Sequence, residues 1–345
     1  MAKAAMTEKG KLIVGLDIGY SNLKVAYGYN GADTSPTVVV KPAQAAPITQ
    51  MPTGYEDGSA RRDGEYRVLV DDQPWIACID PGRSNGMQRQ LHEDFTSSDV
   101  YKALFHASLI EACQDGDVID VLVTGLPVSH NRNREMREAL ITRLTGEHRV
   151  AAARKITVKQ VIVLAQPVGT FVDVFSYHEA GEAFGESSVL VLDPGFFSTD
   201  WVLFVNGELV ESSSNSSLKA MSVMLDAVNE EIVKDLGGSP GTEKLEIALQ
   251  QNRTSIRLFG KVVELGIYLE RAAARVAPAT LEEVRRDMRF LAGKELDFLV
   301  CGGGGGKFYM AAAQEVYPKT QPIISEKPVT SNATGFFWYG VDKAA

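Results

Sequence analysis

KLIVGLDIGYSNLKVAYGY, residues 11–29, is the stretch on which the fold turns. An apolar run from Leu12 ends in Asp17. A small polar turn follows, with Gly19, Ser21 and Asn22, and a second alternating run leaves from Leu23. That pattern predicts a β-hairpin. SVLVLDPGFFSTDWVLFVNGELV, residues 188–210, uses the same device again: apolar run, Asp193, a turn with Gly195, Ser198 and Thr199, then a second apolar run. Two copies of one unit predict a duplicated α/β architecture with two facing hairpins.

The chain around these hairpins alternates between strand and helix patterns. Residues 31–85 are rich in Pro, Gly, Asp and Thr, with short strand-like runs at 37–40, 66–70 and 74–79. Residues 96–114 carry apolar side chains at helical spacing behind a Ser/Asp cap. VIDVLVTGLPV predicts a strand, 131–145 a charged helix, and ITVKQVIVLAQPVGTFVDVF a strand turning into a helix. Residues 218–292 read as helices. One, LKAMSVMLDAVNEEIVKDLGG, ends at a Gly pair; a second, IRLFGKVVELGIYLERAAARVAP, is stopped by Pro278; TLEEVRRDMRFL is a third. The strand DFLVCGGGGG, a helix from about 307 and the helical TSNATGFFWYG close the chain.

The expected division is a first lobe over 1–186, with core 1–30 and 86–186, a small insert at 31–85, and 330–345 closing it. A second lobe covers 187–329, with core 187–217 and 293–329 and a helical insert at 218–292.

Composition narrows the class. With 345 residues, 45% hydrophobic and 23% charged, the chain has an ordinary globular balance and room for a large core. A net charge of −9 argues against broad, unassisted nucleic-acid binding, which needs Lys and Arg to displace counterions. Cys78, Cys113 and Cys301 are scattered and read as free core thiols in a reducing cytosol, so the expected location is cytoplasmic. No run of about 18 apolar residues predicts a membrane span. The N-terminal apolar run is too short for a signal peptide.

The chemistry follows from the paired turns. Small residues let backbone N–H groups approach an anion, and hydroxyls add donors. Two such loops facing each other would grip a chain of phosphates from both sides. Asp17 and Asp193, each ending a first strand, would position Mg²⁺ through its waters. Gly302 to Gly306, between a hydrophobic strand and a helix, lack the Ser/Pro-rich surroundings of a flexible linker and suit a backbone surface pressed on a nucleotide. There is no GxxxxGK[ST] loop and no well-placed dinucleotide fingerprint. His178 and Glu179 lack a third ligand and read as surface or helix-cap residues. The Asn131–Arg134 stretch and the Arg-rich 285–289 helix read as solvated faces, and Phe336, Phe337 and Trp338 as core.

GLDIGYSNLKV, VLAQPVGTFVD, VLDPGFFSTDW, LVCGGGGGKF and TSNATGFFWYG, in that order across nearly the whole chain, resemble the five nucleotide-site motifs of the actin superfamily. TGLPVS, QPVGTFVD, DPGFFSTDW and NATGFFWYG look like the ParM/StbA plasmid-segregation group, most of all its "PRTRC system protein D" branch. The resemblance implies a two-lobed actin-like ATPase fold, α/β, built from duplicated ribonuclease H-like domains with inserted subdomains. It implies ATP or ADP as ligand with Mg²⁺ held by Asp17 and Asp193. Gly19, Tyr20, Ser21 and Asn22 match the first phosphate loop, and Gly195, Ser198, Thr199 and Asp200 the second. Lys24 is either a phosphate contact or a solvated strand lysine. Gln166 matches the residue that orients the hydrolytic water, and Gly303, Gly304, Gly305 and Gly306 the adenosine-contacting run.

Two departures stand out. Phe196 and Phe197 occupy positions that are small in the family, and Gln166 is Gln where ParM-like proteins often have Glu. Gln orients water but is a poor base, so slow monomer hydrolysis is expected. The expected function is a filament-forming ATPase of plasmid or DNA segregation. Its expected partners are copies of itself, head to tail, and a DNA-binding adaptor, with no membrane partner. The alternatives are a small-molecule kinase, with Asp173 or Asp200 as base, and a non-hydrolysing nucleotide-gated scaffold.

Overall fold

The computed structural model describes residues 10–31, 35–52, 54, 58, 62–80, 94–251, 253–291 and 295–345. The expected boundaries at 86 and 293 lie outside the described residues.

The described residues begin with β1 (Leu12–Ile18) and β2 (Asn22–Tyr29), then β3 (Thr37–Pro42), β4 (Ala45–Pro47), β5 (Tyr66–Val70) and β6 (Gln73–Ala77). Helix α1 (Asp99–Ala112), β7 (Val118–Leu126), α2 (Val128–Arg132), α3 (Arg134–Leu144), β8 (Gly146–Ala151), β9 (Arg154–Ala165) and α4 (Gln166–Tyr177) follow. One six-stranded sheet has the order β3-β2-β1-β7-β9-β8, and β4, β6 and β5 form a small sheet beside it.

The second half restarts with β10 (Ser188–Pro194), β11 (Thr199–Val205), β12 (Glu208–Leu209) and β13 (Asn215–Ser217). Then come α5 (Met221–Leu236), α6 (Thr242–Gln250), the hairpin β14 (Ser255–Leu258) and β15 (Lys261–Glu264), and α7 (Gly266–Asp287). Strand β16 (Phe298–Cys301), α8 (Gly306–Val316), β17 (Gln321–Ile324) and α9 (Ser331–Ala344) end the chain. The second large sheet runs β12-β11-β10-β16-β17, with β13 added to β11.

The two sheets repeat one plan. In each, an antiparallel hairpin lies against a parallel strand: β1 pairs β2 and β7, and β10 pairs β11 and β16. Both first strands are buried at every residue, as strands with neighbours on both edges and layers on both faces must be. Alternation then sorts their side chains. Leu12, Val14 and Leu16 join the core under α1, while Ile13 joins Phe336 and Phe337 of α9. Leu190 and Leu192 face the α7–α8 side, while Val189 and Val191 meet Phe171 of α4. Helices α4 and α9 therefore lie between the sheets, one on each. They cross so closely that a Cβ at Gly335 would collide with the Gly169 carbonyl. Only glycine fits at that crossing.

Three local readings need correction. Strand β3 belongs to the first large sheet, paired antiparallel with β2. The segment read as a helix from Ile256 begins with the β14–β15 hairpin, turned by Phe259 and Gly260 at φ 49° and 75°. Pro278 does not stop its helix but lies inside α7. A mid-helix proline costs about 3 kcal/mol. Leu269 and Val276 before the proline and Leu281 and Val284 after it are buried, each worth about 1.5–3 kcal/mol, so burial wins.

Candidate functional site

The two hairpin turns close in the same way. Gly19 N donates to the Asn22 carbonyl at 3.0 Å, and Gly195 N donates to the Ser198 carbonyl at 2.9 Å. Both turns open on one cleft of about 430 Å³ between the lobes. Asp17 and Asp193 both line it, and both are almost wholly buried, at 3% and 5% exposure. Lys24 faces Asp17 across β1–β2, and Asp200 faces Asp193 across β10–β11. The hairpins are thus matched in register, but a cation stands opposite the first acid and a third acid opposite the second.

Each carboxylate has its own keepers. Asp17 accepts from Lys24 Nζ at 2.8 Å and from Gln166 Nε2 at 3.3 Å. Asp193 accepts from Asn332 Nδ2 at 2.6 Å. Asn332 Oδ1 in turn accepts from the Thr170 backbone N–H at 3.1 Å and its hydroxyl at 2.8 Å, which fixes the amide's orientation. Burial pushes the Asp193 carboxyl up to about 7. The Asn332 hydrogen bond opposes that shift, and the charges of Asp17 and Asp200 add to it. A crevice that gathers hard oxygen donors at this cost suits a hard divalent cation such as Mg²⁺, which would relieve the crowding of negative charge.

The loop hydroxyls are spent inside the protein. Ser21 Oγ donates to Glu246 Oε1 at 2.8 Å and accepts from Gln250 Nε2 at 2.5 Å. Ser198 Oγ donates to Asp200 Oδ2 at 2.5 Å, and Thr199 Oγ1 to the Lys219 carbonyl at 2.9 Å. Each of these hydroxyls donates its proton to another protein group. Asp200 also accepts from Val128 N at 2.7 Å and from Ser216. Burial raises its pKa while these bonds lower it. Its carboxylate ties α2 of the first lobe to the second. Arg132, expected on a solvated face, adds to that tie by donating to the carbonyls of Glu211 and Ser214.

The cleft gathers most of the residues singled out from sequence, but not all. Asp17, Gly19, Tyr20, Ser21, Asn22, Lys24, Gln166, Asp193, Gly195, Ser198, Asp200, Gly303 and Gly304 line it. Thr199, Gly305 and Gly306 do not. Thr199 is fully buried behind the turn, and Gly305 packs under Pro194, where a Cβ would lie 2.9 Å from its carbonyl oxygen. Gly303 needs its glycine, since φ is +66° and a Cβ would strike Asp193 Oδ1. A Cβ on Gly304 would meet nothing within 4 Å, so this residue leaves open space on the cleft wall.

Phe196 and Phe197 both line the cleft, and Phe196 also packs against the helical core of the second lobe. Asp173, a candidate base, does not line it; it hydrogen-bonds Ser325 at 2.9 Å. His178 Nδ1 accepts from Ala180 N at 3.1 Å and closes a turn after α4, while Phe336 and Phe337 are wholly buried. Among the described residues no group of three or more His, Cys, Asp or Glu forms a metal cluster.

Tyr101, His130, Lys307, Phe308 and Asn332 also line the cleft and were not singled out from sequence. Asn332 sits inside the quoted TSNATGFFWYG segment, so a polar residue in an apolar helix was a usable signal. Tyr101 reads as one more core position of α1, and nothing in its spacing marks it.

Two sheets on one plan, crossed helices between them and an acid-lined cleft give the chain a two-lobed actin-like fold. Residues 15–169 match the family model described as the N-terminal domain of actin-like proteins. The chain is similar to the crystal structure of an archaeal actin homologue, with TM-score 0.73 and 18% identity over 97% of this chain and 100% of that one. It is similar to a ParM subunit of a 15-stranded filament from Clostridium botulinum, with TM-score 0.71 and 18% identity over 96% and 99%. It is also similar to Bacillus thuringiensis ParM with AMPPNP, with TM-score 0.63 and 13% identity over 98% and 100%. No curated protein matches the chain. No helix among the described residues is long and apolar enough to cross a membrane.

Proposed function

We propose that this chain binds ATP with Mg²⁺ between its lobes, hydrolyses it slowly as a monomer, and assembles head to tail into nucleotide-dependent filaments that serve plasmid or DNA segregation. The observation that carries the reading is the convergence of Asp17 and Asp193, from two equivalent hairpins, on one cleft. Similarity to a ParM filament subunit and to a ParM with AMPPNP supports it.

In this reading Asp17 and Asp193 hold the Mg²⁺ shell, which would neutralise phosphate charge as the terminal bond breaks. Backbone N–H groups of the two turns orient the phosphates, and Gly303 and Gly304 bring the backbone against the nucleoside. Gln166 has its amide N–H on Asp17, which leaves Oε1 to orient a water. Gln166 is a poor base, and Asp17 and Asp193 are committed to the metal shell in this reading, so turnover is slow until assembly tightens the site.

A head-to-tail contact that does not close on itself makes a filament by symmetry. An acidic chain of net charge −9 would reach DNA through a basic adaptor rather than directly. The test is light scattering and electron microscopy with ATP, ADP and no nucleotide, alongside phosphate release. ATP-dependent polymers with slow release are expected. Absence of polymers across salt and protein concentrations would remove the filament half.

One observation favours a second reading. The loop hydroxyls are engaged and Phe197 lies on Tyr20, which suits a scaffold that binds nucleotide without cleaving it. ATP binding with no phosphate release, alone or assembled, would select that reading.

A further inference from the structure

Two consecutive residues of the first turn reach across the cleft. The Tyr20 ring lies between Phe95, at 4.4 Å between centroids and 24° between planes, and Phe197, at 4.7 Å and 36°. Phe95 rests edge-on against Tyr101 at 5.5 Å, so Tyr20 is braced on its own lobe. Phe197 is held from the other side. Gly195 and Phe196 offer their carbonyls to Met221 N at 3.1 Å and Ser222 N at 3.0 Å, which binds the second turn to the start of α5. Next to Tyr20, Ser21 bonds Glu246 and Gln250 of α6, also in the second lobe.

We infer that Tyr20 and Phe197, backed by Phe95 and by the bonds of Ser21 to α6, form an aromatic latch that joins the two turns across the cleft and limits how fast bound nucleotide leaves. The inference rests on the nucleotide-site reading above and adds a residue pair that controls exchange.

The physical basis is direct. Both centroid separations suit attractive offset or tilted aromatic pairs. The rings line the cleft, so separating the lobes there must expose them to water. Phe196, its neighbour, also lines the cleft and packs against the lobe core, but it is Phe197 whose ring meets Tyr20. The engaged hydroxyl of Ser21 belongs to the same closed arrangement. Opening the latch would free that hydroxyl as well as the path into the cleft.

The test compares the wild-type chain with Phe197→Ala and Phe197→Tyr. Stopped-flow release of a fluorescent ADP analogue reads the exchange rate, and small-angle scattering of the nucleotide-free proteins reads lobe closure. Release about tenfold faster in Phe197→Ala, a larger radius of gyration, and near wild-type values in Phe197→Tyr are expected, since tyrosine keeps the ring. A Phe197→Ala protein that melts cooperatively yet matches wild type in both measurements overturns the latch. Should Phe197→Ala not fold, Phe197→Leu takes its place, with faster release expected and an unchanged rate overturning the inference. Scattering needs no ligand, so it judges the latch even if wild type binds no ADP analogue, a result that would instead overturn the nucleotide reading.

Discussion

Asn332 Nδ2 donates to Asp193 Oδ2 at 2.6 Å, joining residues 139 positions apart in sequence and the last helix to the first strand of the second sheet. Both partners are buried, and Asn332 is itself held by Thr170. The acid at the centre of the cleft is thus aimed by a helix packed on the opposite lobe.

Replacing that amide should disturb Asp193 without reshaping the hairpin. Asn332→Ala leaves a buried carboxyl without its donor, which costs about 1–3 kcal/mol. Asn332→Asp places a second acid beside it and should cost more. Denaturant unfolding should show both losses, and calorimetric titration with Mg²⁺-ATP should show affinity lowered at least about tenfold, the Asp variant being worse.

The glycine run separates into structural and cleft-facing positions. Gly303→Ala would force a side chain into positive φ and against Asp193, at a cost of about 1–3 kcal/mol in thermal or denaturant unfolding. Gly304→Ala has open space, so its melting temperature should stay within a degree or two of wild type by the usual small effect of unstrained surface changes. If Gly304 touches the nucleoside, the same variant should still bind ATP less tightly.

Acid should weaken the first lobe through His106. Its Nδ1 lies 2.6 Å from the Leu69 carbonyl, and its Nε2 is buried without a partner. Burial pushes its pKa down to about 4 from the usual 6.5. The folded form keeps the ring neutral while the unfolded chain takes up a proton first. The stability is full above about pH 6.5 and is lost as pH falls toward 4, by roughly 3 kcal/mol if His106 acts alone. His148, 5.8 Å away, is shifted the same way by burial. Urea unfolding of wild type and His106→Gln between pH 7 and 4 checks this; the variant should show a flatter profile.

Asp173 acts with the opposite sign. Burial raises its carboxyl to about 6, against the lowering effect of the Ser325 hydroxyl. Its contribution is full below the unfolded value near 4 and is lost as pH rises through 6. Asp173→Asn can still accept from Ser325, so it should stabilise the protein at pH 7 by about 2–3 kcal/mol, with the gain fading toward pH 4. Parallel melts of wild type and variant at both pH values decide it.

Much of this was legible because local chemistry carried it. The hairpins at Asp17 and Asp193 announced themselves through apolar runs, a terminal acid and small turn residues, and those signals need no partner from elsewhere. The helices over Asp99–Ala112, Gln166–Tyr177 and Ser331–Ala344 were visible for similar reasons. The β14–β15 hairpin was not, because short apolar runs do not distinguish period 2 from 3.6. Pro278 misled because the buried face that carries α7 through it is supplied by other elements.

The sequence alone determined that two like units exist, that each ends a buried strand in an acid, and that glycines line a strand-to-helix turn. Only the tertiary structure decided which groups those acids meet. Asn332 on Asp193, Gln166 on Asp17, and Tyr20 against Phe197 all join distant segments. Spacing along a chain sets local conformation through backbone sterics and short-range hydrogen bonding. Which far side chains share a buried space is settled by packing the whole molecule at once.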